Sequence, residues 1–260
     1  MISIFDIYKI GIGPSSSHTV GPMKAGKEFV DELAAKELLK KVTSVTVDVY
    51  GSLSLTGKGH HTDMAIIMGL AGNLPDTVDT DAIDGFIENV NKTKRLSLAS
   101  GQVEVDFDPQ TQLVFRSENL PLHENGMSIH AYVGDEKVLS KTYYSIGGGF
   151  IVDEEHFGQE QSSDVSVPFP YKSAADLVKY CHEMGLSLSG VILKNELALR
   201  SREEIEERCL RIWETMSDGI DKGLVTEGVL SGPLRVYRRA PALYRSLKSS
   251  NKLTVDPMVV

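Results

Sequence analysis

Two stretches of the sequence crowd together side chains that can do chemistry. The first, "GIGPSSSHTVGP" at Gly11–Pro22, sets Ser15, Ser16, Ser17, His18 and Thr19 directly before an apolar stripe of helical period. Backbone N–H groups at a helix N-terminus lack partners and carry partial positive charge, so they favour an anion. The hydroxyls add donors without bulk, and Gly11 and Gly13 let the backbone bend close. This combination suits a carboxylate or a phosphate. It equally suits a turn whose hydroxyls do no more than cap the helix. A P-loop is excluded, because its Gly-Lys-Ser/Thr ending is absent.

The second stretch is "GKGHHTDMAIIMG", with His60 and His61 between an expected strand end and an expected helix start. An imidazole titrates near neutral pH and can accept a proton. Neighbours on a loop point apart, so at most one of the pair faces a substrate. The alternative is a pair of capping or surface histidines. A zinc site is poorly supported, since the Asp63 spacing fits no familiar ligand pattern and cysteines are scarce. Asn125-Gly126 in "PLHENGM" is a turn signal first and a ligand contact second. The Gly147–Gly149 run in "YYSIGGGF" interrupts a strand pattern, which indicates a bulge or a close backbone approach. A Ser–His–Asp set can be assembled from these residues, but no Gly-x-Ser-x-Gly elbow is present.

The elements that must position these residues fall into two halves. Up to about Phe157 strands and helices mix. Pro22 fits a first helical turn, and Gly26, Phe29, Val30 and Leu33 continue a helical stripe to about Leu39. Val45, Val47 and Val49 alternate with polar residues as a half-buried strand. Met64, Ile67, Met68 and Ala71 predict another helix, and 82–94 a third. "QVEVDF", "TQLVFR", "MSIHAYV" and "KVLSKTYYSI" read as strands, with "VGDEKV" a hairpin turn and His130 on the less apolar face. From about Pro170 the pattern is helical only. Ser173 and Asp176 open one helix and Gly185 closes it, "LSGVILKNELALRS" is a second, and Ser201–Glu204 caps a third. Ile205, Cys209, Ile212, Trp213 and Met216 form the third helix's apolar stripe. "VPFPYKS" is expected to link the halves.

Composition bounds the function. The 260 residues are 41% hydrophobic and 24% charged, in the ordinary range for a folded protein. A formal charge of −9 argues against a broad nucleic-acid surface, and the best basic cluster, "RVYRRAPALYR", is short. Two cysteines make no disulfide framework, and no signal peptide or membrane span is apparent. Cytoplasm is the expected location, with no nucleic acid or membrane as partner.

Taken in order, "GIGPSSSHTVGPMKAG", "VYGSLSLTGKGHHTD", "PLHENGM", "YYSIGGGFIVDEEHFG", "NELAL" and "TEGVL-GPLRV-RRA" resemble the bacterial iron–sulfur-dependent L-serine dehydratases of the single-chain type. The resemblance runs from Met1 to the last residue. It implies an α+β fold: residues 1–160 as a mixed α/β domain like an allosteric substrate-binding domain, and 170–260 as the opening helices of an all-helical catalytic domain. It implies deamination of L-serine to pyruvate and ammonia without pyridoxal phosphate. A 4Fe-4S cluster held by three cysteines would serve as Lewis acid on the substrate hydroxyl. Those cysteines belong to a later region of the family pattern, and Cys181 and Cys209 match none of it. The chain therefore looks like the N-terminal part of such an enzyme, expected to bind no cluster and to be inactive alone. Its expected partners are L-serine, the remainder of the catalytic domain and a second copy in a dimer. Ser231 stands where the family pattern has proline.

Matched onto the family motifs, His61 is the general base, and Ser15, Ser16, Ser17, His18 and Thr19 hold the substrate carboxylate. His60, Asn125 and Gly148 line the site. A serine-sensing regulatory module without chemistry of its own is the main alternative, and a metal-independent Ser–His hydrolase is a third.

Overall fold

The computed structural model describes residues 3–159, 166–230 and 235–249. The chain divides into two compact units, Lys9–Ser163 and Met1–Tyr8 with Asp164–Val260. The first eight residues, which carry the short helix α1 (Ile4–Ile7), thus group with the helical unit. The expected 1–160 span does not draw that boundary.

In the Lys9–Ser163 unit the helices are α2 (Gly21–Ala35), α3 (Gly51–Gly57), α4 (Thr62–Leu70), α5 (Ile83–Thr93) and α6 (Pro109–Gln112). The strands are β1 (Ser44–Val49), β2 (Arg95–Leu98), β3 (Val103–Asp106), β4 (Leu113–Phe115), β5 (Gly126–Val133), β6 (Glu136–Gly147) and β7 (Phe150–Asp153). They form one mixed sheet in the order β2-β3-β1-β5-β6-β7, with β4 also paired to β1. β1 runs parallel to β3 and β4 and antiparallel to β5. Its Val45, Val47 and Val49 are fully buried, as their alternation predicts. Phe29, Val30 and Leu33 of α2 and Ile66, Ile67 and Leu70 of α4 pack into the same core. The two helices touch backbone to backbone: a Cβ on Gly69 would lie 2.1 Å from the Met23 carbonyl oxygen.

Two local features differ from the expectation. "GSLSLTG" alternates like a strand yet forms α3, so His60 and His61 join two helices rather than a strand and a helix. "TQLVFR" is only half strand, because Asp108 caps the Gln110 N–H and Pro109 starts the turn α6. The three glycines 147–149, all at positive φ, turn β6 back into β7, with a register shift between Ser145 and Gly147 in line with the expected bulge.

The second unit contains α1 and the helices α7 (Ala174–Met184), α8 (Leu188–Glu196), α9 (Arg202–Val225) and α10 (Ala240–Ser249). Ser173 and Asp176 form the capping box of α7, and Gly185 ends it in the left-handed conformation. At α9 the Ser201 hydroxyl accepts the Glu204 N–H. α1 is held here by its own bonds. The Ile4 N–H donates to Glu196 Oε1 at 3.0 Å, and the Arg200 and Arg208 guanidiniums lie 5.2 and 4.4 Å from the Phe5 ring.

"VPFPYKS" is not a free linker. Phe169 is buried, its N–H donates to Asn195 Oδ1 at 2.9 Å, and its carbonyl accepts from Asn195 Nδ2 at 2.8 Å. Of the α9 stripe, Ile205 is buried whereas Trp213 is 60% exposed. Cys209, Ile212, Trp213 and Met216 line an open apolar groove of about 300 Å³ with residues of α1 and Tyr8. Among the described residues no helix is long and apolar enough to cross a membrane. Ser231 and the terminal "TVDPMVV" lie outside the described residues.

Candidate functional site

The serine stretch forms one π-helical turn, Ser16–Val20, that runs straight into α2. Gly21 N–H reaches back five residues to the Ser16 carbonyl, and Val20 N–H five residues to Ser15. Ser15 is the cap: its Oγ accepts the His18 N–H at 3.2 Å, and its own N–H donates to Thr19 Oγ1 at 3.3 Å. The N–H groups of Ser16 and Ser17 have no partner among the described residues. The first turn of a 20-residue helical run therefore presents free donors at its positive end.

Three histidines bear on this turn: His18 within it, and His60 and His61 on the segment whose His60 carbonyl bonds Thr19. His18 Nε2 lies 3.2 Å from the Ser52 carbonyl, which can only accept, so Nε2 carries the proton. His18 Nδ1 then accepts from the Ser17 hydroxyl at 2.8 Å. Burial is the largest influence holding the His18 pKa below its ordinary value; the Ser52 bond and Glu124 oppose it, and His60 adds to it. The ring is therefore neutral at pH 7. His60 lies 4.9 Å from His18, centroid to centroid, and its Nδ1–H donates to the Thr56 carbonyl at 2.9 Å. His61 differs. It sits at φ +55°, ψ +36°, in the left-handed region, as the residue that enters α4. Its imidazole makes no hydrogen bond with any described residue.

Hydroxyl bonds to neighbouring segments tie the turn down. The Thr19 hydroxyl donates to the His60 carbonyl at 2.9 Å, and the Thr62 hydroxyl to the His18 carbonyl at 2.6 Å. From β6, the Ser145 hydroxyl donates to the Ser17 carbonyl at 2.7 Å. Ser145 is in turn paired with Asn125 through N–H···O at 2.9 Å and Asn125 Nδ2–H···O at 3.2 Å. The Asn125 Oδ1 is buried without a partner among the described residues.

With this geometry in place, comparison with known proteins gives a consistent result. Residues 3–156 match the serine dehydratase beta chain family. The chain belongs to that family. It is 67% identical over its whole length to L-serine dehydratase 2 of Escherichia coli (strain K12). It is 58% identical to L-serine dehydratase TdcG of the same organism and 55% to the L-serine dehydratase of Haemophilus influenzae. In each case the chain spans 57% of the relative's length.

Of the residues singled out in the sequence of this serine dehydratase family member, Ser15, Ser16, Ser17, His18 and Thr19 share one turn, His60 contacts it through its carbonyl and ring, and His61 follows as the residue that enters α4. Asn125 joins them one residue removed, through Ser145. A side chain on Gly148 would meet only the Phe150 ring, whereas one on its neighbour Gly149 would meet Val20 of the turn. Ser52, Thr62 and Ser145 were not singled out. All three lie inside the stretches that carry the family resemblance, which is the one signal that points to them.

Proposed function

We propose that this chain is the substrate-binding part of an L-serine dehydratase, in which the serine turn holds the substrate carboxylate and His61 removes the Cα proton. The observation that carries the assignment is the division of labour among the three imidazoles. His18 uses both ring nitrogens within the protein and His60 one, while both of His61's are uncommitted among the described residues. A base must have a free lone pair within reach of the proton it takes. The relatives' shared name, L-serine dehydratase, supplies the substrate.

Deamination of serine breaks the Cα–H bond and expels the hydroxyl from Cβ. The enamine so formed tautomerises to an imine, which water hydrolyses to pyruvate and ammonia. In this reading the Ser16 and Ser17 N–H groups fix the carboxylate, so that the Cα–H bond keeps one direction relative to His61. The neutral His18 holds Ser17 and does not compete for the proton.

The four-iron cluster implied by the family resemblance does not fit the residues present. Such clusters take three or four thiolates, and the sequence has two cysteines, Cys181 on α7 and Cys209 on α9. No step is assigned to a cluster on this chain; in the proposal its ligands, like the rest of the helical catalytic domain, lie in the remaining length that the relatives have. A dimer and a cytoplasmic location belong to the same proposal.

The test is pyruvate release from L-serine by the full-length polypeptide. His61→Ala should lower kcat by roughly 10²- to 10⁴-fold, the usual range for a general base, with a much smaller change in KM. Absence of pyruvate with L-serine bound would support the sensing module instead. Wild-type kcat in His61→Ala would remove this residue from the role.

A further inference from the structure

At the junction of the π turn and α2, the carbonyl of Ser17 has a specific shortage. The residue whose N–H would serve it in the five-residue register is Pro22, which has none, and the Gly21 N–H is taken by Ser16. The missing donor comes from the sheet. Ser145 is 3% exposed, near the end of β6, where the register with β7 slips between Ser145 and Gly147. Each of its polar groups is committed: N–H and carbonyl to Asn125, hydroxyl to the Ser17 carbonyl.

The reach of that hydroxyl depends on the residue opposite. A Cβ on Gly21 would lie 2.2 Å from Ser145 Oγ and 2.9 Å from its Cβ, distances at which the serine has to move. Glycine at 21 thus keeps open the channel through which β6 touches the turn. The same hairpin makes two further contacts here: Lys24 Nζ of α2 donates to the Gly149 carbonyl at 2.9 Å, and Gly149 lies against Val20 of the turn.

We infer that Ser145 is a positioning residue of the serine site, which holds the Ser17 carbonyl so that the Ser16 and Ser17 N–H groups face the substrate carboxylate, and that Gly21 exists to admit it. The inference rests on the serine dehydratase reading above for its ligand. Ser145 touches no substrate. It acts through Ser17 and, through the Ser17 hydroxyl, on His18.

The test uses three variants of the full-length polypeptide: Ser145→Ala, Gly21→Ala, and the repacked pair Ser145→Gly/Gly21→Ala, which exchanges the volumes and removes the hydrogen bond. KM for L-serine should rise about tenfold in all three, the size expected of one lost bond, with kcat within about threefold. A purely structural role predicts otherwise: KM would return to the parental value in the repacked pair along with its Tm. A second readout does not need turnover. The imidazole resonances of His18, followed by NMR against pH on this chain, should titrate at higher pH in Ser145→Ala. The loosened ring is less buried, while His60 and Glu124, which face it, and the Ser52 carbonyl are unchanged. If the parental protein turns over no serine, the functional reading fails and the His18 titration still decides the positioning role. An unmoved titration in Ser145→Ala overturns the inference, as does an unmoved KM in the repacked pair.

Discussion

The hydroxyls of the serine turn are of two kinds, and substitution should separate them. Ser16 is exposed and its side chain makes no bond within the described protein, so Ser16→Ala should raise KM for serine and leave Tm unchanged. Thr19 is 1% exposed and bonds both Ser15 and His60, so Thr19→Val should destabilise the fold by about 1–3 kcal/mol, read by urea denaturation. His18 predicts a pH effect of definite sign. Its folded pKa lies below the unfolded value of 6.5, chiefly through burial, so the unfolded state takes up the proton first. Stability should be full above pH 6.5 and decline as pH falls from there through the lower folded value. His130, also held low mainly by burial, adds a decline of the same sign. Glu28, raised by burial and then by Asp153, works oppositely between 4.5 and its raised value. His18→Gln should flatten the loss of Tm between pH 7.5 and 5.5, and an unchanged slope would contradict the protonation assigned here. The residue types at this site were legible in the sequence. Their pairings were not, because nothing in "SSSHT" says which hydroxyls face inward and which face water.

Among the elements, α2 and α4 set the site, since the serine turn opens one and His61 enters the other. They meet where Gly69 packs on the Met23 backbone, and backbone cannot step aside as a flexible side chain would. Gly69→Ala should therefore cost about 1–3 kcal/mol, seen as a lower urea midpoint, and should raise KM for serine because the turn moves with α2. Loss of stability without any change in KM would mean that the turn is positioned independently of the helix. α2, α5 and β1 were legible because the burial of each follows one clear period, whereas α4, β5 and β6 were legible as apolar runs, α4 being buried almost all round. α3 was not: Ser-Leu-Ser-Leu has period two, yet Leu53 is buried and Leu55 is 79% exposed, so the segment buries one leucine rather than a face. Nor was the anchoring of "VPFPYKS", which depends on Asn195, 26 residues beyond Phe169.

On the scale of the whole molecule, the sequence showed a mixed half and a helical half, but not that Met1–Tyr8 groups with the helical one. Glu196 and Arg200 pair across one helical turn and hold the N-terminal residues by contacts some 190 residues apart in sequence, which no local pattern reveals. The chain spans 57% of its curated relatives' length, and its two cysteines bound what it can bind by itself. Anaerobic reconstitution with iron and sulfide should leave this chain colourless after desalting, and a stable brown product with about four irons would contradict that. The most direct test of the central claim is solvent exchange at the substrate Cα. Full-length protein incubated with Cα-deuterated L-serine should lose deuterium to water together with turnover, and His61→Ala should suppress both while the protein still binds serine. Deuterium loss and turnover at the parental rate in His61→Ala would contradict the account.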